Sequence, residues 1–277
     1  MIQFTGADGN RIMGDAIGDL NGRLVLFLHG GGQTRHAWRA AQEALAECGF
    51  RSISLDSRGH GDSEWTTSAG YSLESSANDL RCVIASLRRS VAIVGASWGG
   101  LTGLLALAQE PDLDCTALIL VDVVPRPNSA GVANIIKFMT AHQTGFASAE
   151  EAADAVAAYV PGRLRRSASD GLRKNLRLAD DGRFYWHWDP AFLDFSGDVA
   201  RFASAMEATV RHSAVPILLV RGKSSDVVTD GEVANFRLLA PNVPVIDIRD
   251  AGHMVVGDQN DIFVAAIRPF LERIEAS

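Results

Sequence analysis

Cysteine is scarce: Cys48, Cys82 and Cys115 are the only three in 277 residues. Their spacing excludes a disulfide framework and resembles no metal-ligand pattern, so reduced thiols in an intracellular protein and no metal site are expected. Positive charge is short as well, with 26 Lys and Arg against 33 Asp and Glu, a net of −7. No basic run or stripe compensates, which argues against nucleic acid as a partner. Long apolar runs are missing, so no membrane span is expected. Asp8, Arg11, Asp15 and Asp19 interrupt the first twenty residues, unlike a secretory leader. These absences lead to the expectation of a cytoplasmic protein, monomer or homodimer, with no nucleic-acid or membrane partner.

What is present is a regular alternation of buried-strand and helix patterns. Short strands are predicted near Ile2 to Thr5 and Arg11 to Ile17, and Leu24-Val25-Leu26-Phe27-Leu28 reads as a strand buried on both faces. A helix is predicted from Arg35, with Trp38, Ala41 and Leu45 on one face and Gly49 as its stop. Ser72 and Glu74 open another, in which Leu73, Ala77, Leu80, Ile84 and Leu87 keep helical spacing. Further strands are expected at Arg51 to Asp56, Ala117 to Asp122, Pro216 to Val220 and Val243 to Ile248. Pro269 is expected to kink or interrupt the last helix, Ile262 to Ile274. This order indicates an α/β protein with a mostly parallel, doubly covered sheet.

The rhythm breaks between Pro125 and Val215, where helices and loops are expected. Asn134 to Met139 forms an apolar helical run, and Ser148 with Glu151 forms a capping box for Ala149 to Val160. Arg163, Arg165, Arg166, Arg173, Lys174 and Arg177 make a basic cluster, read as a solvated face or as a source of one contact to an anionic substrate group. In a chain with 7% aromatics, Tyr185-Trp186-His187-Trp188 is dense enough to suggest a pocket wall or a small local core.

Ser97 lies in Gly95-Ala96-Ser97-Trp98-Gly99, between the apolar run Val91 to Val94 and the helical stretch Leu101 to Gln109. A serine on so sharp a strand-to-helix turn is a nucleophile candidate, because only small residues two positions either side let the turn close. Upstream, His29-Gly30-Gly31-Gly32 follows a buried strand and leaves bare amides. The Gly31 and Trp98 N–H groups suit the two donors of an oxyanion hole. Downstream, two strands lead into Arg221 to Asp226 and into Asp250-Ala251-Gly252-His253. An acid and an imidazole are thus expected at the carboxyl edge of the sheet, where sites of open parallel sheets lie. His253 is the candidate base. Asp226 is favoured as its acid, and Asp122, after the strand that follows the nucleophile, is the rival. His29 and His60 are expected to make structural hydrogen bonds in their glycine turns.

These motifs, with Asp56-Ser57-Arg58-Gly59-His60-Gly61-Asp62-Ser63, resemble an α/β-hydrolase of the small, single-chain, lidded kind. The resemblance implies a core of residues 1–125 and 214–277, with a helical lid of residues 126–213 inserted between the sixth and seventh strands. It also implies a serine hydrolase that needs no cofactor and acts on a small-molecule substrate through an acyl-enzyme. A small carboxylic ester or lactone is the expected substrate. Carbon–carbon bond cleavage by the same residues, or a ligand-binding receptor with little turnover, are the alternatives. Haloalkane dehalogenases and epoxide hydrolases of this fold use an aspartate where this chain has Ser97. Carbon–carbon hydrolases typically carry tryptophan where it has Met254. Candidate pocket residues are His36, Trp38, Phe138, Met139, Trp186, Trp188 and Met254.

Overall fold

Alternate residues of the central strands face opposite cores, which is why those strands are apolar throughout. Leu24, Leu26 and Leu28 point into one cluster, Val25 and Phe27 into the other. Ile93 against Val94, and Leu118 against Ile119, divide in the same way. The structure, a computed structural model, describes residues 1–66, 70–159, 172–194, 198–255 and 260–274.

The main sheet contains β1 (Ile2–Thr5), β2 (Arg11–Ile17), β3 (Arg23–Leu28), β4 (Phe50–Leu55), β5 (Val91–Ala96), β6 (Cys115–Val121), β9 (Ile217–Gly222) and β10 (Val245–Ile248). Their spatial order is β1-β2-β4-β3-β5-β6-β9-β10. β2 is antiparallel to both its neighbours, and every other pairing is parallel. The chain passes from β3 to β4 on one side and then to β5 on the other. That reversal opens a crevice at the carboxyl ends of β3 and β5, where open sheets bind ligands.

Helices α1 (Arg39–Glu47) and α8 (Asn260–Arg273) cover one face and pack on each other. The other face carries α2 (Leu73–Leu87), α3 (Trp98–Gln109) and α6 (Asp198–His212). Buried between α2 and α6, α3 is apolar almost all round rather than amphipathic. The remaining core helix, α7 (Asp230–Leu239), adds Val233 and Phe236 to that face. Gly49, at φ 79°, ends α1 as expected. Pro269 does not interrupt α8. It lies on the exposed side, as does Ala265, so the carbonyl that loses its amide donor faces water.

Between β6 and β9 run α4 (Ser129–Thr140), α5 (Ala149–Tyr159), a hairpin of β7 (Leu176–Leu178) and β8 (Phe184–Trp186), a 3-10 turn at Pro190–Asp194, and α6. The hairpin departs from the expectation of helices and loops alone, since three-residue strands are too short to register as an alternating pattern. Phe146, Ala149, Ala152 and Leu176, with Phe184 and Trp186 against them, form a separate small core. Backbone bonds pin this insertion to the turn after β4, Gly61 N donating to His187 O at 2.7 Å and Asp189 N to Gly59 O at 2.8 Å. On its other flank Asn128 N donates to Val227 O at 2.9 Å. Ser148 Oγ accepts from Glu151 N at 3.1 Å, one half of the expected capping box, while Glu151 Oε2 accepts from Ala147 N, one residue before Ser148. Val160, Arg163, Arg165 and Arg166 lie outside the described residues. Among those described, no helix is long and apolar enough to cross a membrane.

Candidate active site

Ser97 joins β5 to α3 with φ 45° and ψ −114°, a conformation that strains any residue with a Cβ. The neighbouring glycines make it possible. A Cβ on Gly95 would come within 2.5 Å of Gly100 N, and one on Gly99 within 2.5 Å of Leu28 O. Ser97 N donates to Val121 O at 3.0 Å, fixing the turn to β6.

The imidazole of His253, just beyond β10, meets Asp122 and not Asp226: His253 Nδ1 lies 2.7 Å from Asp122 Oδ2. That bond requires the proton on Nδ1 and leaves Nε2 as the acceptor. Asp122 is fully buried at the end of β6, with φ 51°. Its Oδ1 accepts from Gly222 N at 2.9 Å, and its Oδ2 also accepts from Ser225 Oγ at 2.5 Å. Asp226 is exposed and accepts from Asn134 Nδ2 of α4 at 3.2 Å. The carboxylate on His253 is thus Asp122 and not the expected Asp226. The loop after β9 folds back through Ser225 N to Gly222 O, turning Ser225 inward to Asp122 and the next side chain outward to α4.

In the loop after β3, Gly30 N donates to Gln33 Oε1 at 3.1 Å and Gly32 N to His60 Nε2 at 3.1 Å. The Gly31 amide between them has no such partner among the described residues. A Cβ on Gly30 would stand 3.4 Å from Ser97 Cβ, so this loop lies directly against the serine. Trp98 opens α3, which puts its amide at a helix N-terminus.

His29 and His60 brace that loop from below. His29 Nδ1 bonds Gly30 O at 2.8 Å while its Nε2 accepts from Ser57 N at 2.9 Å. His60 Nδ1 bonds Arg58 O at 3.0 Å. In each ring Nδ1 donates and Nε2 accepts, so both are neutral. Burial pushes His60 from the ordinary 6.5 down to about 3, and it lowers His29 as well. Unfolded histidines take up protons below about pH 6.5, so the unfolded chain binds more protons than the folded one in that range. The histidine contribution is full above pH 6.5 and falls as pH drops, by about 1.4 kcal/mol per pH unit for His60, with His29 adding in the same direction. Urea titrations from pH 7 to 5 should therefore show a falling midpoint, and a flat midpoint contradicts the neutral pair.

The candidate pocket residues separate into two groups. Met139 is buried, its Cε 3.0 Å from where a Gly32 Cβ would be, and Trp188 Nε1 is 3.6 Å from the same point. Met254 Sδ accepts from Gln33 Nε2 at 3.5 Å. Phe138 stacks on Tyr159 at 4.4 Å and tilts toward Trp186 at 5.9 Å, although Trp186 also packs edge-on against Phe146 of the small core.

Trp38 and His36 belong elsewhere. Trp38 is fully buried under the sheet, 4.8 Å from Phe27 and 5.8 Å from Phe263, at the end of the 3-10 turn Arg35–Trp38 that leads into α1. His36 Nδ1 lies 3.8 Å from Asp15 on β2, a strand separated from β5 by β4 and β3. Phe192 was not anticipated. Its ring comes within 3.2 Å of a Cβ built on Gly31 and meets Trp98 at 5.1 Å and His60 at 4.6 Å. Its nearness in sequence to the aromatic cluster was the one available signal.

Among the described residues no three His, Cys, Asp or Glu side chains gather as metal ligands. What the crevice does assemble is a strained serine, an imidazole oriented by a buried carboxylate, and a glycine loop against the serine.

Known proteins share this frame. The chain is 33% identical to Esterase Rv0045c of Mycobacterium tuberculosis over 260 residues, 90% of this chain and 82% of that protein. It is 29% identical to 2-(acetamidomethylene)succinate hydrolase of Mesorhizobium japonicum, over 91% of this chain and 89% of that one. A crystal structure of E-2-(acetamidomethylene)succinate hydrolase superimposes with a TM-score of 0.86 over 98% of both chains, at 23% identity, a likeness of fold. With the model of the alpha/beta hydrolase fold matching residues 23–206 as well, the chain belongs to the alpha/beta hydrolase fold family.

Proposed function

We propose that this α/β hydrolase cleaves a small carboxylic ester or lactone through an acyl-enzyme, with Ser97, His253 and Asp122 as its triad. The observation that carries this reading is the 2.7 Å bond from His253 Nδ1 to buried Asp122, on the sheet edge where Ser97 is held out. Ser97 Oγ attacks the acyl carbon while His253 Nε2 takes its proton. The Gly31 and Trp98 amides hold the oxyanion. Collapse breaks the bond to the alcohol, which leaves with the proton from His253, and water then releases the acid by the same steps. α4, the β7–β8 hairpin and the turn at Pro190–Asp194 act as a cap that shapes the acyl and alcohol subsites, with Met139, Trp188 and Phe192 against the oxyanion loop. α6, packed on α3, is counted with the core.

Similarity to an esterase over most of the chain supports the ester reading. Similarity to 2-(acetamidomethylene)succinate hydrolase favours, as a second reading, cleavage of another bond by the same residues. Hydrolysis of p-nitrophenyl acetate and butyrate, with mass spectrometry after fluorophosphonate treatment, separates them. Steady turnover with a single adduct on Ser97 is expected. An adduct without turnover transfers the case to the second reading or to a receptor role, and no adduct refutes the triad.

A further inference from the structure

The loop after β9 brings a second side chain to the Asp122 carboxylate. Ser225 is more than nine-tenths buried, and its Oγ has three neighbours within hydrogen-bond distance. Val227 N and Val228 N both donate to it at 3.1 Å, and Asp122 Oδ2 lies 2.5 Å away. A hydroxyl has two lone pairs and one proton. The two amides fill the lone pairs, so the proton has one destination, the carboxylate oxygen that also holds His253. The direction of this bond is therefore set by the backbone, and its acceptor is ionised, which makes it short and strong.

We propose that Ser225 is a positioning residue for the reaction, its hydroxyl locking the rotation of the Asp122 carboxylate so that Oδ2 stays aimed at His253. This inference rests on the triad reading above. Gly222 N holds Oδ1 and Ser225 holds Oδ2, so the carboxylate plane is defined from both ends before His253 arrives. Without the hydroxyl, Oδ2 keeps only the imidazole, and the carboxylate is anchored to the protein by the Gly222 amide on Oδ1 alone. Ser225 acts through Asp122 and touches no reacting atom. The same turn also carries Asp226 to Asn134 and Val227 O to Asn128 N, so an ordinary structural role for Ser225 would be felt at α4 and in substrate binding.

Kinetics and proton NMR on Ser225→Ala and Ser225→Thr separate the two roles. Ser225→Ala is expected to lower kcat ten- to thirtyfold with KM within about twofold, the loss of one hydrogen bond to a charged group. Ser225→Thr, which keeps the hydroxyl, should recover most of it. The far-downfield resonance of the His253 Nδ1 proton should move in the alanine variant and return in the threonine variant. Where the alanine variant does not fold, Ser225→Cys, similar in shape and weak as a donor, makes the same comparison. A raised KM at unchanged kcat, or a resonance that does not move, overturns the proposal. Failure of the triad reading is recognised separately, by full turnover in Ser97→Ala. The resonance then still decides whether Ser225 holds Asp122.

Discussion

Asp122→Asn is expected to lower kcat by about four orders of magnitude, while Asp226→Asn leaves it within about threefold. The asymmetry follows from what each carboxylate touches. All three partners of Asp122 are donors: Gly222 N, Ser225 Oγ and His253 Nδ1. An asparagine brings an NH2 group that must face one of them whichever way the amide flips. Turned to His253, it forces the proton onto Nε2 and abolishes the base. Turned to Gly222, it preserves the tautomer but removes the negative charge that stabilises the imidazolium. Either orientation leaves buried donors facing each other, at a cost of about 1–3 kcal/mol in stability. Asp226 is exposed and makes one bond from Asn134, which an amide oxygen reproduces. Saturation kinetics on both variants, with circular dichroism to confirm folding, provide the check. The reverse ranking would restore Asp226 as the acid.

The second large effect concerns the nucleophile and separates activity from stability. Ser97→Ala should lose on the order of 10⁶ in kcat, leaving what binding and the oxyanion donors supply alone. Ser97→Gly should lose as much and yet be the more stable of the two by about 1 kcal/mol. The reason is the backbone: φ 45° with ψ −114° costs a residue with a Cβ about 1–3 kcal/mol, and glycine escapes it. Its greater freedom in the unfolded chain offsets part of the gain. Denaturant midpoints on the two inactive variants read the difference directly. Equal stability would mean that the elbow is not strained.

Local chemistry made much of the fold legible. The apolar runs at Leu24 to Leu28 and Val91 to Val94 announced strands buried on both faces, and Gly49 marked the end of α1. Legibility failed where a residue's neighbours come from distant parts of the chain. Trp38 carries one large aromatic surface whether it lines a pocket or fills a core, and only the packing of α1 on α8 decides between them. Pro269 looked like a break because its missing amide is a local fact, whereas the exposure of its helix face is not. The β7–β8 hairpin was missed for want of length.

The site divides along the same line. By itself the sequence determined the elbow that holds Ser97, since Gly95 and Gly99 are needed only where a turn is too tight for side chains. It also put His253 and the glycine loop at Gly31 at one edge of the sheet, because each lies in the loop after a strand. Which carboxylate meets His253 belonged to the tertiary structure. Asp122 and Asp226 both leave strands at the same edge, one β6 and the other its neighbour β9, and the local pattern that favoured Asp226 carries no information on which of them reaches His253. The fold of the β9 loop ranks them, turning Ser225 in and Asp226 out. A side chain's direction off a loop depends on backbone bonds made to strands far away in sequence.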